Sequence, residues 1–166
     1  MRSSRQPDLD ASELRIAILV SRQHEDISSR LLRGAMDALR ARGLPDPPEV
    51  TWVPSPMELP LAALNLAETS RYDALVALGA VIDDETVQLQ YVAGECARGL
   101  MHVQLDTGVP CLFGVLTTLD REQALARSGP KSNRGAEAAE GAVEMANVLR
   151  ALQDLDERDT AEDREQ

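Results

Sequence analysis

Ala74–Ile82 is apolar throughout, with Gly79 as its one interruption. Such a run is expected of a strand covered on both faces, and strands of that kind belong to parallel sheets. Three shorter segments, Leu14–Ser21, Glu49–Val53 and Cys111–Leu116, read as its partners. Between them the apolar spacing changes to that of helices. Ile27, Leu31, Ala35 and Leu39 recur at four-residue intervals, with Leu32 and Met36 widening the stripe. Gly43 lies where a helix C-terminal glycine belongs. Met57–Thr69 predicts a second helix with Pro60 in its first turn. Thr86 is placed to cap a long helix reaching about Leu105. Arg121–Arg127 predicts a short helix, and Asn133 to about Leu152 a final one.

Strands alternating with helices at this spacing predict right-handed βαβ crossovers and an α/β fold with helices on both sides of a parallel sheet. Ligands of open α/β sheets collect outside the carboxyl ends of the strands. Four segments meet there: Arg22–Asp26, Pro54–Glu58, Ile82–Gln88 and Phe113–Thr118.

A chain of 166 residues with 43% hydrophobic content fits one domain with a full core. No apolar run of about 18 residues is present, and Met1–Asp10 is too polar for a signal peptide, so the cytoplasm is the expected compartment. Seventeen basic against 28 acidic residues give a net charge of −11, which argues against nucleic acid or an anionic membrane as partner. Much of the excess lies in Asp154–Gln166, read as a solvated, disordered tail after a domain spanning residues 14–152, with residues 1–13 as a polar arm. Cys96 and Cys111 have no metal or redox spacing and are expected to be buried thiols. No metal or cofactor is expected. Adjacent carboxylates such as Asp83, Asp84 and Glu85 seldom all aim inward, so that turn reads as solvated.

Several stretches together resemble the lumazine synthase family. They are Leu31-Leu32-Arg33-Gly34-Ala35, Trp52-Val53-Pro54, Glu58-Leu59-Pro60-Leu61-Ala62-Ala63, Tyr72-Asp73-Ala74, Ala77–Ile82, Phe113–Thr118, Glu122-Gln123-Ala124 with Arg127, and Asn133–Ala139. The resemblance implies a flavodoxin-like α/β/α sandwich on a four-stranded parallel sheet. It also implies homopentamers, in some members closed into icosahedral sixty-subunit shells, with active sites shared between neighbours. The loop Gly129–Asn133 is shorter than usual and leaves pentamer and shell both open.

The implied reaction condenses 5-amino-6-ribitylaminouracil with 3,4-dihydroxy-2-butanone 4-phosphate to give 6,7-dimethyl-8-ribityllumazine. The resemblance implies substrate contacts at Gln23, Met57, Glu58, Val81, Ile82 and Phe113. It implies phosphate contacts at Glu85, Thr86 and Arg127, the last offered to a neighbouring subunit.

Several of these positions depart from the family pattern. Arg-Phe-Asn becomes Arg22-Gln23-His24, so the stacking ring is lost. Pro-Gly-Ser/Ala-Phe-Glu becomes Pro54-Ser55-Pro56-Met57-Glu58. In the segment Asp83–Leu89 the usual basic residue is Asp83 and the proton-transfer histidine is Gln88. Glutamine cannot exchange a proton near neutral pH, and such a group is commonly worth about 10² to 10⁴ in rate. His24 is the candidate substitute imidazole, or else a turn residue; His102 reads as a surface histidine. The first expectation is therefore a weak synthase. The alternatives are a diverged enzyme acting on a different phosphorylated or amine substrate, and a non-catalytic shell former or binder of a flavin-like molecule.

Overall fold

The computed structural model describes residues 7–83 and 88–164. Its strands are β1 (Ile16–Ser21), β2 (Glu49–Val53), β3 (Ala74–Ile82) and β4 (Cys111–Thr118). They form one sheet in the order β2-β1-β3-β4, and every pairing is parallel. The helices are α1 (Glu25–Ala41), α2 (Leu59–Glu68), α3 (Gln88–Thr107), α4 (Arg121–Ala126) and α5 (Arg134–Arg164), with a 3₁₀ turn at Pro56–Glu58.

Alternate residues of each strand feed two cores. Ile16, Ile18, Val20, Ala74, Val76 and Leu78 pack with Ile27, Leu31, Ala35 and Leu39 of α1 and with Ala139, Ala142 and Val143 of α5. On the opposite face Ala17, Leu19, Leu75 and Ala77 meet Leu59 and Ala63 of α2 and Cys96, Leu100 and Val103 of α3. The result is the expected three-layer α/β sandwich on a four-stranded parallel sheet. Each buried leucine contributes about 1.5–3 kcal/mol to the layer it joins.

Several boundaries depart from the sequence pattern for local reasons. The first strand begins at Ile16, because Leu14, although buried, lies in an arm that runs from the end of α1 along the middle of α5. Ala11 N–H donates to Arg42 O, and Asn147 Nδ2 donates to the carbonyls of Asp8 and Asp10. The helix expected over Met57–Thr69 is divided into the 3₁₀ turn and α2, with prolines at Pro56 and Pro60. The last strand runs two residues past Leu116, to Thr118, where it still pairs with Ile82. The final helix continues beyond Leu152 to Arg164, since the Glu, Arg, Ala and Gln of that stretch favour helix even without an apolar stripe. Gly43, at φ 84, follows α1 as the sequence pattern indicates. The thiols of Cys96 and Cys111 are free and buried, and desolvation pushes both up to about 12.

Candidate functional site

At the carboxyl ends of β1 and β2 the chain turns through two tightly bonded corners. Ser21 is fully buried, and its Oγ accepts from Gln23 N–H at 3.2 Å. Arg22 N–H donates to Val53 O at 2.9 Å, joining the end of β1 to the end of β2. His24 then takes a left-handed conformation, φ 54 and ψ 52, and precedes α1 without donating or accepting a side-chain cap bond. Its carbonyl accepts from Ile27 and Ser28 N–H, so the helix starts on this residue. Gln23 is exposed and His24 half-buried at the rim.

The second corner is a capping box. Ser55 N–H and Oγ donate to Glu58 Oε2 at 2.8 and 2.7 Å, while Ser55 Oγ accepts from Met57 N–H at 3.2 Å. Glu58 is thus held in place by its own turn, and Met57 is left 48% exposed beside it. Gly79 lets β3 pass close by. A Cβ there would lie 3.0 Å from Ser21 Cβ and 3.8 Å from Pro56 Cγ. Val81 is buried and Ile82 half-buried where β3 ends, and Asp83 N–H donates to Thr118 O at 2.9 Å. Glu85, Thr86 and the side chain of Gln88 lie outside the described residues, as does the expected cap at Thr86.

Phe113 does not join this cluster. Reading Phe113–Thr118 as one carboxyl-end segment is corrected by the register, which sets Phe113 opposite Ala77 in the middle of β3. Five residues separate it from Thr118 at the strand end, a distance of roughly 17 Å at the usual rise. Sequence alone carries no register, and the strand continues two residues further than its apolar run. Phe113 instead lines a shallow cavity of about 300 Å³ along β4, with Thr117, Arg127 and Arg134. None of Gln23, His24, Met57, Glu58, Val81 or Ile82 lines it.

The cations of this second cavity are held by the turns on either side. Asp120 Oδ1 accepts from Gln123 N–H at 2.8 Å and caps α4, and Gln123 Oε1 accepts from Leu119 N–H at 3.2 Å. Arg127 follows the last turn of α4 and is exposed, with no ion pair among the described residues. Arg134 Nη2 donates to Phe113 O at 3.1 Å, and its Nη1 donates to Glu137 Oε2 at 3.0 Å.

Arg134 and Thr117 were not singled out in the sequence as site residues. A basic residue opening a long helix opposes the helix dipole, and that is the signal Arg134 carries. Between the two clusters Arg121 pairs with Asp26. Partial desolvation raises Asp26, but the Arg121 hydrogen bond and charge outweigh it and hold the carboxyl below its ordinary range. His102 is exposed on α3, far along the chain from either group.

Chemically, the carboxyl-end cluster offers backbone edges, a fixed carboxylate, an imidazole at the rim and apolar surface from Val81 and Ile82. The cavity along β4 offers an aromatic ring and the exposed Arg127 guanidinium, which suits an anion, while Arg134 is already engaged by Glu137 and Phe113 O. The sequence model of 6,7-dimethyl-8-ribityllumazine synthase matches residues 13–150. A 6,7-dimethyl-8-ribityllumazine synthase of Edwardsiella ictaluri is 50% identical over 145 residues, covering 86% of this chain and 93% of the relative. The match includes every strand and the residues of both clusters, and the chain belongs to the 6,7-dimethyl-8-ribityllumazine synthase family.

Proposed function

We propose that this chain is a lumazine synthase, condensing 5-amino-6-ribitylaminouracil with 3,4-dihydroxy-2-butanone 4-phosphate to 6,7-dimethyl-8-ribityllumazine with release of inorganic phosphate and water, at slow turnover. The observation that carries this reading is the match over residues 13–150, at 50% identity to a relative bearing that name. Condensing an amine with a ketone needs the two reactants held in contact and protons moved during carbon–nitrogen bond formation. Holding them is the larger requirement, since orientation of two reactants can supply several kcal/mol of the barrier. Gln88 can hydrogen-bond but cannot exchange protons, and Gln23 cannot stack, so proton transfer and ring recognition are the weakened functions.

In this reading Met57, Glu58, Val81 and Ile82 receive the pyrimidine side, with Gln23 and His24 at the rim. Glu85 and Thr86 bind phosphate with Arg127. Phe113 and Arg127 act on a neighbouring subunit's site. What supports sharing is the roughly 17 Å along β4 between Phe113 and the strand end, a gap that a second copy bridges more readily than one chain can. The assembly proposed is a homopentamer, with an icosahedral shell as its larger form.

The test follows lumazine formation above the uncatalysed rate for the native protein beside Gln88→His. Turnover by the native protein supports the synthase reading, and a rise of about 10² in the variant locates the deficit at Gln88. Silence from both would reject it in favour of a different substrate. Sedimentation velocity reads the assembly, and a monomer at assay concentration would remove the shared site.

A further inference from the structure

The two cations of the β4 cavity, Arg127 and Arg134, are seven positions apart, one following α4 and one opening α5, yet line one space. The loop between them is closed upon itself. Arg134 N–H donates to Arg127 O at 2.9 Å, and Ser128 and Asn133 form an isolated antiparallel bridge. The Asn133 carboxamide lies across this loop. Its Nδ2 donates to Ser128 O and to Arg30 O of α1, both at 3.1 Å, and its Oδ1 accepts from Ala136 N–H at 3.1 Å. The facing helices are cut back around it: a side chain on Gly34 of α1 would overlap the carboxamide, and one on Gly135 of α5 would overlap the Leu31 carbonyl. Arg134 is fixed in the cavity by Phe113 O and Glu137, so what the loop adds is the place of Arg127 beside it.

We infer that Asn133 is a positioning residue, whose carboxamide pins the 127–134 loop to α1 and thereby sets where Arg127 presents its guanidinium to the phosphate. The inference rests on the reading of Arg127 as a phosphate ligand made above. Asn133 has two separable duties. Accepting from Ala136 N–H is ordinary helix capping, which serine performs about as well. Donating to Ser128 O and Arg30 O spans two other segments, and a serine hydroxyl is too short to reproduce both bonds.

The experiment compares native protein with Asn133→Ser and Asn133→Ala, using inorganic phosphate as the probe by calorimetry and the KM of each substrate by assay. Phosphate affinity and the KM for the phosphorylated ketose should worsen about tenfold in both variants, while the KM for the amine stays within about twofold. Thermal unfolding of Asn133→Ser should remain near native, which separates positioning from loss of fold. If the native protein forms lumazine and Asn133→Ser binds phosphate as well as native, the inference falls and the functional reading stands. If the native protein neither forms lumazine nor binds phosphate, the functional reading falls and takes this inference with it.

Discussion

Ser55 and Glu58 are bonded twice to each other: Ser55 N–H and Ser55 Oγ both donate to the same carboxylate oxygen, Glu58 Oε2, at 2.8 and 2.7 Å. A carboxylate placed this way shapes the turn after β2 before it meets any substrate. Replacing Glu58 with Ala leaves Ser55 N–H without its partner and should cost about 1 kcal/mol of stability. Glu58→Gln keeps an acceptor for that N–H and should cost less. Urea midpoints measure both. Equal losses in the two variants would mean that the charge, and not the bond, holds the corner.

Gly99 of α3 faces Pro60 of α2 so closely that a Cβ would stand 2.6 Å from Pro60 Cγ. Pro60 is a rigid ring and cannot swing aside. Gly99→Ala should therefore separate the two helices and lower stability by about 1–3 kcal/mol, even though alanine favours helix by up to about 1 kcal/mol. A denaturant midpoint above native would show that the helices have room to slide.

The architecture was largely readable along the chain because its signals are local. Pro47 and Pro48 precede β2 and Pro54 follows it, and the unbroken run Ala74–Ile82 is β3 itself. The α1 stripe of Ile27, Leu31, Ala35 and Leu39 is buried as its spacing requires. What was not readable depends on partners distant in sequence. The depth of Phe113 follows from its pairing with Ala77, and no local pattern contains a register. The Asn133 contact to Arg30 O joins residues 103 apart. Its one trace in the sequence is a pair of glycines, Gly34 and Gly135, in otherwise good helical segments. Gln23 and His24 were assigned to the correct corner, whereas the left-handed backbone of His24 is visible only in three dimensions.

Cys96 and Cys111 should make folding sensitive to alkali. Burial raises each from 9.0 to about 12, so below pH 9 both folded and unfolded chains carry neutral thiols and nothing changes. Between 9.0 and about 12 the unfolded chain ionises first, holds fewer protons, and gains stability relative to the fold. Each thiol then contributes a loss of up to about 1.4 kcal/mol per pH unit. Urea unfolding at about pH 8 and about pH 10 should show the decline, and it should be smaller in a Cys96→Ala, Cys111→Ala double variant. At neutral pH both thiols should resist alkylation until the protein is unfolded. Rapid labelling of native protein would show that the core opens locally around them.

His24 combines an unusual backbone with a half-buried imidazole at the rim of the carboxyl-end cluster. At φ 54 an ordinary L-residue pays about 1–2 kcal/mol of strain, which asparagine tolerates better and glycine avoids. Glycine adds unfolded-chain entropy of about 0.5–1 kcal/mol, so His24→Gly should fall between no change and a gain of about 1 kcal/mol. His24→Asn should fold as well as native. Neither variant can exchange a proton. With glutamine at position 88, His24 is the remaining imidazole in the proposed site, and losing it should lower turnover about tenfold or more. A stable His24→Asn protein with native turnover would make His24 a turn residue only. The condensation would then run on positioning, with water carrying the protons.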